Sequence, residues 1–253
     1  MLASCGYDRK AIVWREATPG SWEAEHIVAA SSSVNSVAWA PHEAGRLMLA
    51  SASSDGKVRV STKSAAGEWV DEAELPDLRE GVLGVSWAPS AHLGASLAGQ
   101  TTMRLVTASC NGSMQVWARS SDGEWRKDDN GVLAGHTRWV RDVAWAPATG
   151  LPVNQIASCS EDGKVLVWEQ SKVRGPWEHN LVRDFGAPVW RTSWSLTGGI
   201  LAVTSGDPSG EAAVTLFKQT LLGDWAEVDA ADVDEAAGAA TGAAAAGAGG
   251  GLA

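Results

Sequence analysis

Val34-Asn-Ser-Val-Ala-Trp-Ala-Pro41, Val82-Leu-Gly-Val-Ser-Trp-Ala-Pro89, Val140-Arg-Asp-Val-Ala-Trp-Ala-Pro147 and Val189-Trp-Arg-Thr-Ser-Trp-Ser-Leu196 are four versions of one phrase. Their shared tryptophans, Trp39, Trp87, Trp145 and Trp194, stand 48, 58 and 49 residues apart. Inside each phrase apolar and polar residues alternate, which is the period of a β-strand. A self-similar period of this length marks a repeat architecture and takes precedence over local structure.

Downstream of each phrase comes a run of small residues and a turn: Leu49-Ala-Ser-Ala-Ser-Ser-Asp55-Gly56, Val106-Thr-Ala-Ser-Cys-Asn111-Gly112, Ile156-Ala-Ser-Cys-Ser-Glu-Asp162-Gly163 and Leu201-Ala-Val-Thr-Ser-Gly-Asp207. Asp-Gly and Asn-Gly between two strand patterns are strong hairpin signals. Six places past the turn residue stand Ser61, Trp117 and Trp168; in the last copy about four extra residues, within Pro208 to Ala212, precede Phe217 in that slot. Eight or nine residues further on, every copy has another tryptophan: Trp69, Trp125, Trp177 and Trp225. The opening fragment Leu2-Ala-Ser-Cys-Gly-Tyr-Asp8 follows the same rule, with Trp14 and then Trp22. Five copies agreeing at fixed landmarks predict four antiparallel strands per unit, the blade of an all-β propeller, with strands a to d running outward from a central channel. An immunoglobulin-like sandwich lacks such a register. The first tryptophan of each copy is expected to end strand a and fill the seam between blades; the last opens strand d.

Composition agrees with a motif copied several times. Of 253 residues, 14 are Trp, against one Tyr and two Phe, and 45% are hydrophobic. Thirty acidic against 20 basic residues give a net charge of −10, which disfavours a nucleic-acid partner. Single-strand stacking would require Lys or Arg interleaved between exposed rings, a pattern not read at the strand-a and strand-d tryptophans. Cys5, Cys110 and Cys159 form no CxxC or Cys/His pattern, so neither a disulfide framework nor a zinc site is expected, and a reducing compartment fits. Asn111-Gly112-Ser113 has the form of a glycosylation acceptor but, with no signal-peptide pattern, reads as a tight turn. No apolar run is long enough to span a membrane.

His136, Asp162, Ser158 or Ser160, and Trp168 look like the hydrogen-bond tetrad of a WD repeat, a relay of imidazole, carboxylate, hydroxyl and indole N–H in which every buried polar group finds a partner. The same residue types compose a Ser-His-Asp triad, but here they occupy structural slots of one repeat. No site gathers acid, base and nucleophile, and no Gly-rich loop followed by Lys cradles phosphate. Neither a catalytic centre, a cofactor site nor a metal site is expected.

Longer strings carry a family resemblance: Ser-Val-Asn-Ser-Val-Ala-Trp-Ala-Pro-His-Glu (33–43), Ser-Ser-Asp-Gly-Lys-Val (53–58), Trp-Val-Arg-Asp-Val-Ala-Trp-Ala-Pro (139–147), Gly-Pro-Trp (175–177) and Val-Trp-Arg-Thr-Ser-Trp-Ser-Leu (189–196). In this order they resemble the SEC-thirteen family, the small WD-repeat subunit of the COPII outer coat that is shared with the nuclear pore Y complex. The resemblance runs from about Leu2 to about Glu227. It implies an open six-bladed propeller with about five blades in this chain, blade two without strand a and then blades three to six, over 1–228. An Ala/Gly-rich tail, 229–253, is expected to be disordered.

The resemblance further implies a structural scaffold in ER-to-Golgi transport, placed at the cytoplasmic face of the endoplasmic reticulum, on COPII vesicles and at nuclear pores. Its partner would be the large outer-coat subunit of the SEC-thirty-one family, or its nuclear pore counterpart, donating a blade to the open flank. A nutrient-signalling complex is a further implied partner; nucleic acid and direct membrane insertion are not. Val189, Trp190, Trp194 and Phe217 are the expected partner-binding residues. The alternative is an adaptor propeller that binds peptides or chromatin proteins through its top face or channel.

Overall fold

The computed structural model describes residues 1–42, 45–75, 80–97, 100–148, 150, 152–206, 212–220 and 223–228. The Ala/Gly-rich tail, Asp207 and most of the insertion after it lie outside these residues. All the elements are strands. A three-stranded first sheet is built from β1 (Leu2–Cys5), β2 (Lys10–Thr18) and β3 (Ser21–Ala29). The second sheet is β4 (Val34–Trp39), β5 (Met48–Ser53), β6 (Val58–Lys63) and β7 (Trp69–Leu75). The third begins with β8 (Val82–Trp87); a small hairpin of β9 (Ser96–Leu97) and β10 (Gln100–Thr101) interrupts it before β11 (Met103–Ser109), β12 (Ser113–Arg119) and β13 (Trp125–Ala134). The fourth is β14 (Val140–Trp145), β15 (Asn154–Ser160), β16 (Lys164–Gln170) and β17 (Glu178–Asp184). The fifth is β18 (Val189–Trp194), β19 (Ile200–Gly206), β20 (Ala212–Gln219) and β21 (Trp225–Glu227).

Every pairing is between chain neighbours in an antiparallel meander, apart from β8 with β11, which the β9–β10 hairpin separates. Strands β4, β8, β14 and β18 pack side by side from sheet to sheet, as strands nearest a common axis do. Phrases of the Val34–Pro41 type are therefore the inner strands, and a blade reads a, b, c, d from the axis outward. A register shift follows the first valine of β4, β14 and β18, which adds the local twist of a bulge to the inner strand.

The turns explain the Asp-Gly and Asn-Gly pairs. Asp55, Asn111 and Asp162 each accept the backbone N–H two residues on, at 3.1, 2.9 and 3.0 Å. The following glycines, Gly56, Gly112 and Gly163, have φ of 81°, 81° and 85°, a region costly to residues with a Cβ. The first copy makes the same turn at Asp8 with Arg9 in the glycine's place, at φ 67°.

Hydrophobic cores lie between successive sheets. One joins Ala50, Val58 and Val60 of the second sheet to Val85, Leu105 and Trp117 of the third. The next joins Val106, Met114 and Val116 to Val143, Ile156 and Trp168, and the last joins Ala157, Val165 and Val167 to Val189, Leu201, Val203 and Phe217. The inner-strand tryptophans complete these seams: Trp87 Nε1 donates to the carbonyl of Ala38 and Trp194 Nε1 to that of Ala144, each at 3.0 Å on the preceding sheet. Each also meets the tryptophan that opens strand d, with ring centroids 5.6 Å apart in Trp87–Trp125 and Trp194–Trp225 and 5.8 Å in Trp145–Trp177.

Candidate functional site

The loop before β14 and the β15–β16 turn bring His136 against Asp162, with Nδ1 3.1 Å from Oδ2. The other ring nitrogen, Nε2, lies 2.8 Å from Ser158 Oγ, and Trp168 Nε1 donates to that same oxygen at 2.9 Å. Burial lowers the His136 pKa although Asp162 favours the cation, so the ring is read as neutral. A neutral ring fixes the directions: indole N–H to Ser158, Ser158 O–H to Nε2, and Nδ1–H to Asp162. Burial alone would raise the Asp162 carboxyl, but the N–H groups of Thr137 and Lys164, with His136, hold it below the ordinary value. Ser160, the other candidate hydroxyl, serves the turn instead; it donates to the Arg138 carbonyl and accepts from Asp162 N–H.

These four residues contain a Ser-His-Asp arrangement that is sealed. Ser158 is fully buried and His136 nearly so, and the serine hydroxyl is flanked by the Trp168 indole. A nucleophile must reach a substrate carbonyl, and this one faces only protein. The relay ties strands b and c to the incoming loop. Its partial copies follow the same logic: Trp14 Nε1 donates to Ser4 Oγ at 2.9 Å, and Trp117 Nε1 to Thr107 Oγ1 at 3.3 Å. In the last copy the indole becomes Phe217 and the hydroxyl becomes Val203, so donor and acceptor are lost together. In the second sheet Asp55 is held by Arg59, at 2.8 Å, in place of a histidine. Among the described residues no group of three or more His, Cys, Asp or Glu is placed to hold a metal ion, and the three cysteines are free thiols.

A second buried polar node escapes the sequence reading. Arg104, at the start of β11, donates to Asp128 Oδ2 at 2.8 Å and to Gln170 Oε1 at 3.0 Å. Its guanidinium lies 5.3 Å from the Trp145 ring and 5.8 Å from that of Trp177. Asn154 joins Gln170 and also pairs with both backbone groups of Leu93, pinning the insertion that precedes β9 to the fourth sheet. These partners lie 16 to 66 residues from Arg104 or from each other, so no local pattern signals them.

The expected partner-binding residues separate by face. Val189 and Phe217 are buried in the core shared with the fourth sheet, and Trp194 is bonded back to Ala144, so these three face the preceding sheet and offer no free flank. The reason is the strand period of two, which makes neighbours in sequence point to opposite faces. The uncovered face of the fifth sheet belongs to the residues between them. Ala202 pairs with Leu216 and Thr204 with Val214, all at least partly exposed, Val214 to 70%. Trp190 is exposed, but it lies on the inner strand beside Arg141. The first sheet likewise has a partly open face, with Ile12 paired to exposed Ile27 and Trp14 to exposed Leu2. Strand-to-strand seams join the first sheet to the second and so on to the fifth; among the described residues no comparable seam joins fifth to first.

Residues 23–60 and 128–169 match the WD domain, G-beta repeat family. A SEC13 homolog of Drosophila melanogaster is 40% identical over 238 residues, covering 90% of this chain and 64% of that protein. The protein transport protein SEC13 of Mycosarcoma maydis is 33% identical, with 89% of this chain and 74% of that protein covered, and that of Cryptococcus neoformans is 35% identical, with 89% and 75%. The chain belongs to the SEC13 family. It spans just under two thirds of the fly SEC13 homolog's length. In this SEC13-family chain the matched repeats straddle sheets: 23–60 runs from within β3 into β6, and 128–169 from within β13 into β16. One matched repeat thus supplies the outer strand of one blade and the three inner strands of the next, and covalently staples the pair. The sealed relay of His136, Ser158, Asp162 and Trp168 lies wholly inside the second match.

Proposed function

We propose that this chain is a structural scaffold subunit of the COPII vesicle coat outer layer and of the nuclear pore Y complex, binding a large partner that completes its ring. The observation that carries this reading is the half-open fifth sheet. In β5, β11 and β15 the strand is buried almost throughout, because each has a sheet on both sides. In β19 burial alternates, with Leu201, Val203 and Ser205 covered and the residues between them not. A sheet with one uncovered apolar face is an invitation to association. A segment from the SEC-thirty-one family, or from its pore counterpart, would supply strands against Ala202, Thr204, Val214 and Leu216. The names of the fungal relatives, protein transport proteins, support the trafficking role. The chain works by holding partners, and the Ser-His-Asp arrangement within its relay is sealed. It acts at the endoplasmic reticulum and its vesicles, at nuclear pores, and in a nutrient-signalling assembly.

The test is isothermal titration of the chain with the blade-donating segment of the same organism's SEC-thirty-one relative. Val214→Asp places a charge on the uncovered face without touching the core and is expected to weaken binding by about tenfold or more, some 1.4 kcal/mol. Absence of binding, or equal binding by Val214→Asp, overturns the reading.

A further inference from the structure

The repeat supplies its own control for deciding which residues the blade requires. Where the fold needs a side chain, each copy supplies it, as at Trp39, Trp87, Trp145 and Trp194. The position just before the inner strand is not such a slot: it holds Ser33, Gly81, Trp139 and Pro188. Nor is the second position of that strand, with Asn35, Leu83, Arg141 and Trp190. Blade architecture therefore does not account for Trp139 or Trp190, and it does not bury them. Each is 45% exposed, an expensive way to present an indole to water.

The two rings flank a guanidinium. Arg141 Cζ lies 5.2 Å from the Trp139 ring and 4.9 Å from that of Trp190, so one cation is held between two aromatic faces across the seam of the fourth and fifth sheets. Arg141 also pairs with Glu161, which lies 3.8 Å from Arg138, while Arg191 lies 3.8 Å from Asp142. The acids are mostly buried beneath, with side chains 16% and 15% exposed, whereas those of Arg138 and Arg191 are 64% and 63% exposed. Arg138, Arg141 and Arg191 thus stand with two indoles above Glu161 and Asp142, with Glu80 near the Cys110 wall of the cleft, on a chain of net charge −10. The cluster lies at the end of the propeller where the His136 loop and the Asp162 turn emerge. An open cleft of about 380 Å³ adjoins Trp139, lined by Cys110, Asn111, Thr137, Arg138 and Glu161, which is room for a side chain.

We propose that this end of the propeller is a second docking site, for a short acidic peptide segment of another protein. Carboxylates of the segment pair with Arg138 and Arg191, and an apolar side chain of it packs on Trp139 and Trp190. Tryptophan and arginine are the residues that most often dominate binding energy, and a guanidinium already clamped between rings loses little freedom when a ligand arrives. The charge contrast with the rest of the surface selects an acidic partner and steers its approach.

The test uses the full chain and a fluorescein-labelled peptide of about eight residues, alternating Glu and Leu, read by anisotropy. Probes of alternating Lys and Leu and a deoxythymidine oligonucleotide of about the same length are the comparisons. Substitution borrows from the other copies: Trp139→Ser and Trp190→Asn place there what another blade carries. The acidic peptide is expected to bind at least about tenfold more tightly than the basic one. Its binding should weaken with salt, fall by about tenfold in each of those variants and in Arg138→Glu, and remain unchanged in Val214→Asp. Melting temperatures close to the parent's are the expected check on folding, and Arg138→Glu, at an exposed side chain, carries the test if a tryptophan variant unfolds. No binding of the acidic peptide, equal binding of the basic one, preference for the oligonucleotide, or indifference to Arg138→Glu overturns the proposal.

Discussion

Asp162 accepts the N–H groups of Thr137 and Lys164 as well as the His136 ring, so its loss leaves several donors without partners in a closed site. Asp162→Ala is expected to lower stability by roughly 1–3 kcal/mol, and Trp168→Ala, which also opens a cavity, by about 3–5 kcal/mol. Urea titrations should show the midpoint falling with the slope unchanged; a parental midpoint in either variant would remove the relay from the list of stabilising features. Arg9 offers the opposite sign. It occupies a left-handed turn position at φ 67° where three of the other copies have Gly56, Gly112 and Gly163. Relief of a strain of about 1–2 kcal/mol outweighs the extra freedom glycine gives the unfolded chain. Arg9→Gly should therefore raise the urea midpoint by an amount worth about 0.5–1 kcal/mol. At this scale the copies align Asp162 and Trp168 by spacing, whereas His136, which has no counterpart in the other copies, is named only by likeness to the tetrad of a WD repeat. The choice between Ser158 and Ser160 was not legible in the sequence. Two residues apart on one strand, they point to the same face, and only the depth of Trp168 along β16 decides which hydroxyl its indole reaches.

The stretch between β8 and β11 behaves as an element in its own right, fastened by groups the repeat does not contain. His92 is buried against Trp145, with its Nδ1 2.8 Å from the Pro89 carbonyl, and Nε2 has no partner. Burial, with a smaller contribution from the Arg104 charge, lowers its pKa from 6.5 to about 4. The unfolded chain therefore binds more protons between those values, and stability falls as pH drops through that window and levels off below about 4. For His92 alone the loss is roughly 3 kcal/mol. His136 shifts in the same direction, so the informative quantity is the difference between the parent and His92→Gln across pH 7 to 4. Identical pH slopes in the two proteins would show that His92 is not buried as the neutral base. Arg104 gives a sharper case. Arg104→Met leaves Asp128 and Gln170 without their mostly buried partner, and breaking such a pair from one side costs about 3–5 kcal/mol. Adding Asp128→Asn should recover part of that loss, because the orphaned charge is removed; no recovery would mean that the aromatic contacts of Arg104 carry its contribution instead.

Across the whole molecule the blade order and the inner, outward and turn positions follow from the repeat, because each landmark sits where one strand geometry demands it. The face presented by the last sheet does not follow from it. Leu201-Ala-Val-Thr-Ser looks like the corresponding runs Leu49-Ala-Ser-Ala-Ser and Ile156-Ala-Ser-Cys-Ser, yet the latter have a sheet on both sides and the former on only one. Nothing in a strand's own residues says which side its neighbour occupies, so Phe217 and Leu216 are indistinguishable until the sheets are stacked. That asymmetry has a dynamic consequence. Sheets two to four are each held by two seams, whereas the fifth is held by the single core of Ala157, Val165 and Val167 against Val189, Leu201, Val203 and Phe217. Opening free energy scales with the buried contacts that must be broken, so the two end sheets, the first on its small core of Ala11, Val28 and Val34 and the fifth on its single seam, should open before the sheets between them. Amide exchange followed by mass spectrometry is expected to show faster exchange in β19 and β20 than in β11, β12, β15 and β16. A partner segment that covers Ala202, Thr204, Val214 and Leu216 adds a second seam, and binding to the closed state stabilises it in proportion to occupancy. Protection should therefore rise in β19 and β20 on binding, while β11 and β12 change little. If β19 and β20 instead exchange as slowly as the interior strands before any partner is added, the fifth sheet is already anchored on both sides and the blade-donation reading loses its physical basis.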